Sequence, residues 1–343
     1  MHWPSDLLEV VDKCPLCSSP NNRILESSFV DWMSDPPTGY WEMMACTDCG
    51  AGYLSPRPVR ESIKNAYSQY HTHTSEKDDL VRKGLRSIKD YVSKKYYTVA
   101  SNSGSFLDHI VYITIRMLFP VSSYLDAKSR HIFKVHGEPG RLLDIGCGNG
   151  EFLRLARGFG WTVVGVDVDE HAVSEARSSG LDVRSGSIDV IDSKEKFDFI
   201  SLSHVIEHVY DPIALIQRCY TLLNDGGTLW LETPNIESLG YALYKSIWRG
   251  LEPPRHLILF NHPVLNEILS KSGFVSIEQK LHGLSGTYMG LSSEKLLNIS
   301  SPCSSLAGCN KRKILKFFRV MILEAAQMFS RKRREWLTLV AIR

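Results

Sequence analysis

Four cysteines stand in two tight pairs, Cys14-Pro15-Leu16-Cys17 and Cys46-Thr47-Asp48-Cys49-Gly50, with 28 residues between them. Each C-x2-C turn can present two thiolates, and two such turns can close a tetrahedral site around Zn²⁺. The spacer has room for a β-hairpin. A ribbon this small has little apolar core, so the metal would supply much of its folding free energy. The competing reading is a redox dithiol, but two pairs with a glycine after the second favour zinc. A second group of reactive residues lies far downstream. His204, Glu207 and His208 are spaced i, i+3, i+4, and His256 follows Pro254-Arg255. On one helical turn the first three would share a face. Imidazoles beside a carboxylate suit proton transfer near neutral pH, because an ordinary histidine titrates at about 6.5.

A glycine-rich run, Arg141-Leu142-Leu143-Asp144-Ile145-Gly146-Cys147-Gly148-Asn149-Gly150, lies between the two groups. Glycines let a backbone turn sharply and approach a ligand without a Cβ clash. A dinucleotide-binding loop would read G-x-G-x-x-G, but here Glu151 occupies the place of the third glycine, which argues against a pyrophosphate cradle. The next apolar run, Val163-Val164-Gly165-Val166, ends in Asp167. A carboxylate at a strand end can accept both hydroxyls of a ribose.

These residues resemble the first motif of the class I S-adenosylmethionine-dependent methyltransferases, D-x-G-x-G-x-G, matched by Asp144, Gly146, Gly148 and Gly150. Three later stretches resemble further family features. Ser185-Gly186-Ser187-Ile188-Asp189 is similar to the loop around the adenine, Phe197-Asp198-Phe199-Ile200 to the fourth strand, and Asp225-Gly226-Gly227-Thr228-Leu229 to the turn before the fifth. The resemblance covers roughly 141–282. It implies S-adenosylmethionine as cofactor, bound by Asp144, Gly146, Gly148, Gly150, Asp167, Val168, Ser187, Ile188 and Ser203. The competing reading, a tight turn in some other α/β protein, loses ground because the motifs occur together and in order.

The elements that must position these residues follow from periodicity. Leu142–Ile145, Thr162–Val168, Leu181–Arg184, Phe197–Ser203, Thr228–Thr233 and Phe274–Gln279 read as strands. Helices are predicted from Glu151, from Glu170, from Asp211-Pro212 and from Asn261-His262-Pro263, the last two opening on a capping side chain followed by a proline. This alternation predicts a doubly wound, mostly parallel seven-stranded sheet, with Trp336–Ile342 added at the chain's end. The expected organisation is a zinc ribbon over 1–58, a helical acceptor-side segment over 59–137, and a methyltransferase domain over 138–343 with a helical insertion at 283–334.

Two further resemblances bear on chemistry. His204-x-x-Glu207-His208 is similar to the E-x-x-E-H motif of ubiquinone-pathway O-methyltransferases and small-RNA terminal 2′-O-methyltransferases, where it binds a divalent metal. The RNA enzymes add a later His, which His256 could match. His204 replaces the first Glu, which weakens a Mg²⁺ reading because Mg²⁺ prefers oxygen ligands. We therefore take a metal-free site as the expectation, with His208 as general base and His204 or His256 as alternates, and keep a catalytic divalent metal as the second choice. The ribbon followed by Tyr53-Leu54-Ser55-Pro56-Arg57-Pro58 and the core, together with Arg255-His256-Leu257 to Phe260-Asn261, resembles bacterial methyltransferases of sugar, surface-polysaccharide and natural-product pathways.

The expected function is O-methylation of a sugar, glycan precursor or related small metabolite. The alternative is an RNA methyltransferase that uses the ribbon to bind RNA. Residues 1–50 carry few basic groups, chiefly Lys13 and Arg23, which argues against nucleic acid. A third reading, a silent cofactor-binding scaffold, sits poorly with an intact glycine loop and a filled 204–208 cluster. With 40 Lys and Arg against 38 Asp and Glu, the net charge of +2 gives no global pull toward polyanions. No secretory leader or membrane span is legible, so the expected location is the cytoplasm. Residues 311–334 concentrate nine basic residues against Glu324 alone, around an apolar middle. Two readings remain, a helix packed on the catalytic domain and an interfacial helix on an anionic membrane. Packing is the expectation, with Ile110–Leu118 as a partner.

Overall fold

The computed structural model describes residues 3–32, 39–67, 91–101, 103–135, 139–300 and 306–343. The expectation of helix over 59–137 falls partly outside these residues, at 68–90. A short antiparallel pair joins β1 (Leu8–Glu9) to β5 (Arg57–Pro58). A hairpin forms from β2 (Asn22–Val30) and β3 (Tyr40–Cys46), with Asn22 opposite Cys46. It fills the spacer between the cysteine pairs. β4 (Gly52–Leu54) adds to β3, and β11 (Ile258–Leu259) adds to β4. A strand from the far half of the chain thus completes the N-terminal sheet.

The main sheet contains β6 (Arg141–Ile145), β7 (Thr162–Asp167), β8 (Asp182–Ser185), β9 (Phe197–Ser203), β10 (Leu223–Pro234), β12 (Val275–Lys280) and β13 (Trp336–Ile342). Their order is β12-β13-β10-β9-β6-β7-β8. The run from β10 to β8 is parallel, and β13 is antiparallel to both of its neighbours. This is the seven-stranded, Rossmann-like arrangement expected of the core. Its central strands are nearly all apolar because helices cover both faces. β10 starts at Leu223, earlier than the apolar run suggests, and a bulge between Leu223 and Thr228 absorbs the glycine turn.

Helices follow the strands at the predicted places: α5 (Glu151–Gly158), α6 (Glu170–Ser178), α7 (Pro212–Leu222) and α9 (His262–Lys271). The Asp211 side chain caps α7 through the Ala214 amide, and Asn261 caps α9 through Val264. Ahead of the sheet lie a helix over 91–100, α2 (Phe106–Met117) and α3 (Phe119–Lys128). Near the end of the chain, α10 (Ser285–Ser300) packs on α11 (Leu306–Phe329).

The α10–α11 seam corrects the packing expected of 311–334. Gly286 and Gly290 let α10 approach closely, since a Cβ at either would strike Leu323. Leu323 and Gln327 are buried there, but Ile314, Phe317, Phe318, Met321 and Ile322 face outward. A seam made from small residues needs only a narrow stripe of α11, so most of its apolar residues are left over. Nor does α2 cover them, as Ile110, Ile113 and Met117 are themselves exposed. No helix among the described residues is long and apolar enough to cross a membrane.

Candidate active site

The glycine loop leaves β6 with Gly146, Gly148 and Gly150 at φ of 71°, 53° and 80°. This left-handed path is open to glycine at little cost. A Cβ at Gly146 would strike Val205, whereas one at Gly148 would meet nothing within 4 Å. The loop is therefore packed at one glycine and open at the next, as a backbone cradle for a ligand requires. Asp167, the last residue of β7, accepts from the Gly148 amide at 2.7 Å and the Asp169 amide at 2.9 Å. Val168 is exposed. Ser187 caps the short 3₁₀ turn over Ile188–Val190 that follows β8. Ser203 ends β9. All of these residues lie at the carboxyl ends of adjacent parallel strands, where such sheets bind ligands.

Asp144 lies deeper than expected. Its carboxylate is fully buried in the middle of β6 and is held by Arg130 and by Ser201, the latter at 3.0 Å. Burial pushes this carboxyl up, and the Arg130 guanidinium opposes that shift. Its Oδ2 has no hydrogen-bond partner among the described residues. That orphaned acceptor under the glycine loop suits a cationic group such as the ammonium of S-adenosylmethionine. Gly146–Gly150, Asp167 and Asp144 are the residues that would hold such a cofactor. Arg130 had no legible signal in the sequence.

The 204–208 stretch does not form the predicted helical face. β9 ends at Ser203, His204 turns at φ 53°, and only Ile206–His208 is a 3₁₀ turn. The left-handed step sends His204 and His208 to opposite sides of the buried Glu207. On one side, His204 Nδ1 lies 3.2 Å from Glu207 Oε1, and its Nε2 lies 3.5 Å from Glu232 Oε1. Glu232, buried near the end of β10, also accepts from His282 Nδ1 at 2.6 Å and Thr338 at 2.6 Å. The Trp336 ring packs edge-on against both His204 and His282. On the other side, the His208 and His256 rings meet at 4.7 Å. Glu207, His208 and His256 each bring one ligand atom within 4.8 Å of the others.

Hydrogen bonds orient these rings. His208 Nδ1 lies 3.0 Å from the Arg255 carbonyl and 3.1 Å from the Tyr67 hydroxyl, and His256 Nδ1 lies 2.8 Å from the Gly250 carbonyl. A carbonyl only accepts, so each ring donates to it from Nδ1, and the His256 Nε2 faces Glu252 at 3.7 Å. Burial, then the neighbouring His208, holds His256 down at about 4, so it stays neutral. Burial alone would raise Glu207, but the hydrogen bond and charge of His204 outweigh it and hold the carboxyl at about 2. Burial likewise disfavours the charged form of His204, yet Glu207 and Glu232 lift it to about 10. Glu207 is fixed further by the Thr233 hydroxyl at 2.9 Å. Sequence reading missed Glu232 and His282. An acid inside the apolar run Leu229-Trp230-Leu231 was a usable signal for Glu232, whereas His282 had none.

The four cysteines meet as predicted. Cys14 and Cys49 Sγ are 3.6 Å apart, Cys17 and Cys46 are 3.5 Å apart, and all four lie within 4.8 Å of one another. A tetrahedral zinc with bonds of about 2.3 Å needs sulfurs about 3.8 Å apart, so the group fits with little movement. The Cys49 thiol hydrogen-bonds Cys14 and holds it down at about 5, which favours one thiolate in advance. Two links tie this end to the His–Glu cluster. Asn261 donates to the Cys49 carbonyl at 2.8 Å. Arg255, next to His256, makes a buried two-pronged pair with Asp31 at 2.9 and 2.7 Å.

Residues 121–279 match a family model described as a methyltransferase domain. The ubiquinone biosynthesis O-methyltransferase of Xanthomonas campestris pv. campestris (strain B100) is 35% identical over 111 residues, 30% of this chain and 46% of that protein. That of Glaesserella parasuis serovar 5 is 34% identical over 142 residues, 38% of this chain and 58% of that protein. The chain thus spans about half the length of the curated relatives it matches. Among solved structures, an S-adenosylmethionine-dependent methyltransferase from Archaeoglobus fulgidus is similar at 22% identity and a TM-score of 0.43, covering 68% of this chain and 99% of that one. Phosphoethanolamine N-methyltransferase 2 of Haemonchus contortus is similar at 19% identity and a TM-score of 0.44, covering 63% and 52%. The D-x-G-x-G-x-G loop is seated on a seven-stranded sheet of the Rossmann-like methyltransferase fold, and the match to a methyltransferase domain over residues 121–279 takes in that loop and the strands β6 to β10.

Proposed function

We propose that the chain methylates a hydroxyl oxygen of a small acceptor, in the class of sugars, glycan precursors and related metabolites, with His208 as general base. The observation that carries this reading is the orientation of His208. Its Nδ1 faces the Arg255 carbonyl and the Tyr67 hydroxyl, which leaves Nε2 to take a proton. S-adenosylmethionine, when bound, supplies a methyl group already activated on a sulfonium. The chain must then hold the acceptor in line and remove its proton. The hydroxyl oxygen would take the methyl group, the electron pair of the broken bond would stay with the cofactor, and the hydroxyl proton would pass to His208. The curated relatives named above are O-methyltransferases, which supports oxygen as the acceptor atom. Polysaccharide pathways, a cytoplasmic location and a structural zinc on Cys14, Cys17, Cys46 and Cys49 belong to the same proposal.

The test is turnover with an acceptor found by screening sugars, nucleotide sugars and phenols. His208→Ala should lower it by roughly 10²–10⁴-fold. Calorimetry should show S-adenosylmethionine affinity nearly unchanged in that variant, but weakened at least about tenfold in Asp167→Ala. Full activity of His208→Ala would assign the residue to pocket structure. A second reading rests on the close approach of Glu207, His208 and His256. One carboxylate and two imidazoles whose outer nitrogens are fixed by carbonyls suit Zn²⁺, Mn²⁺ or Fe²⁺ better than Mg²⁺. A bound ion would polarise the acceptor oxygen and favour its deprotonated form. Activity that falls with chelator and returns with added Mn²⁺ would favour this reading over the free base.

A further inference from the structure

We infer that the outward faces of α2 and α11 form a docking surface for an anionic lipid bilayer. On α2, Phe106, Ile110, Ile113 and Met117 recur at helical spacing and are exposed, Met117 by 80%. On α11, Ile314, Phe317, Phe318, Met321 and Ile322 do the same, Phe317 by 62%. Soluble helices normally turn such a stripe to the core. Here the stripes face away from it, since α11 packs on α10 through Leu323 and Gln327. The two helices belong to one region. Leu118 and Phe119 join α2 to α3, and Ser123 of α3 donates to the Leu281 carbonyl and accepts from the Gly283 amide. The next residue, Leu284, donates to Glu324 of α11.

The charge around this surface selects the occupant. Residues 311–334 carry nine basic residues against one acid. The acid, Glu324, is turned inward onto the amides of Leu284 and Thr287. Of the cations, Arg319 pairs with Glu294 and Lys332 with Glu237, while Lys313 stands exposed beside the apolar stripe. A second copy of the chain would set this basic stretch against its own like. An anionic bilayer offers the complementary charge and takes up the apolar side chains at the depth of an interfacial helix.

The test is co-sedimentation of the full chain with vesicles. Binding is expected to vesicles of equal parts phosphatidylcholine and phosphatidylglycerol, with little to phosphatidylcholine alone, and should weaken as salt rises. Lys313→Glu should weaken it about tenfold. Phe317→Glu with Phe318→Glu, or Phe106→Glu with Met117→Glu, should do so at least as strongly while leaving the thermal melting curve in place. Three results would overturn the inference. They are no binding to anionic vesicles, binding unchanged in all three variants, or light scattering that shows a dimer made monomeric by the Phe317/Phe318 change.

Discussion

The thiolate cluster and the His–Glu cluster are built in opposite ways. Cys14, Cys17, Cys46 and Cys49 are four ligands of one chemical kind on two short turns, and around a zinc ion they would leave no vacant side for chemistry. Glu207, His208, His256, Glu232 and His282 come from four separate segments and are unequal, and neighbouring charges hold Glu207 and Glu232 below the usual carboxylate range while burial holds His256 down. A closed set of like ligands can only stabilise. An unequal set leaves lone pairs, such as His208 Nε2, pointing at something else. The two clusters are nonetheless coupled through Asn261 and through the Arg255–Asp31 pair.

The largest expected effect tests the structural side. Replacing Cys14 with Ser should cut bound zinc from about one per chain to near none, by elemental analysis of protein made with ample zinc. Structural zinc is worth on the order of 10 kcal/mol in small ribbons, so the N-terminal hairpin should become open to protease. Zinc absent from the wild type would remove the distinction between the clusters.

The comparison also explains what could be read from the sequence. The cysteines were legible because each pair is fixed by a spacing of three, whatever the rest of the chain does. The glycine loop and strand order were legible because apolar runs alternate with capped helices. The 204–208 stretch misled because an i, i+3, i+4 spacing presumes helix, whereas the chain leaves β9 through a left-handed His204. Glu232, His282 and Arg130 come from distant segments, and only the sheet register and the α3–β6 connection bring them in. The apolar excess in α11 was legible, but its outward direction was not, because Gly286 and Gly290 decide which stripe packs.

The coupling between clusters predicts a middle-sized effect. Asp31 follows the hairpin strand β2 and neutralises Arg255 inside the protein. Asp31→Ala takes one carboxylate away from a buried guanidinium, with Glu252 still beside it at 3.1 Å. Breaking a buried pair from one side costs about 3 kcal/mol or more. Denaturant unfolding should show that loss. Turnover should also fall, because the Arg255 carbonyl orients His208. Stability lost with turnover intact would mean that the N-terminal sheet does not position the His–Glu cluster.

The smallest effect concerns the far side of Glu207. His204 is lifted to about 10 by Glu207 and Glu232 against the opposing effect of burial, from about 6.5 in an unfolded chain. A raised pKa in the folded state contributes stability that is fully present below about pH 6.5 and is lost as pH rises through 10. Stability of the wild type should therefore decline between pH 7 and 10, as followed by denaturant midpoints. In His204→Gln the decline should be shallower, so the two proteins converge toward pH 10. His204 is 35% exposed, and solvent screening should keep the difference at about 1 kcal/mol or less. The two carboxylates work in the other direction. Both are depressed, so their share is lost as pH falls below about 4, outside this window. Parallel pH curves for wild type and variant would show that His204 is neutral in the folded protein. The His204–Glu232–His282 side would then be a hydrogen-bonded wall with no charge on it, and the electrostatic contrast with the thiolate cluster would rest on His208 and His256 alone.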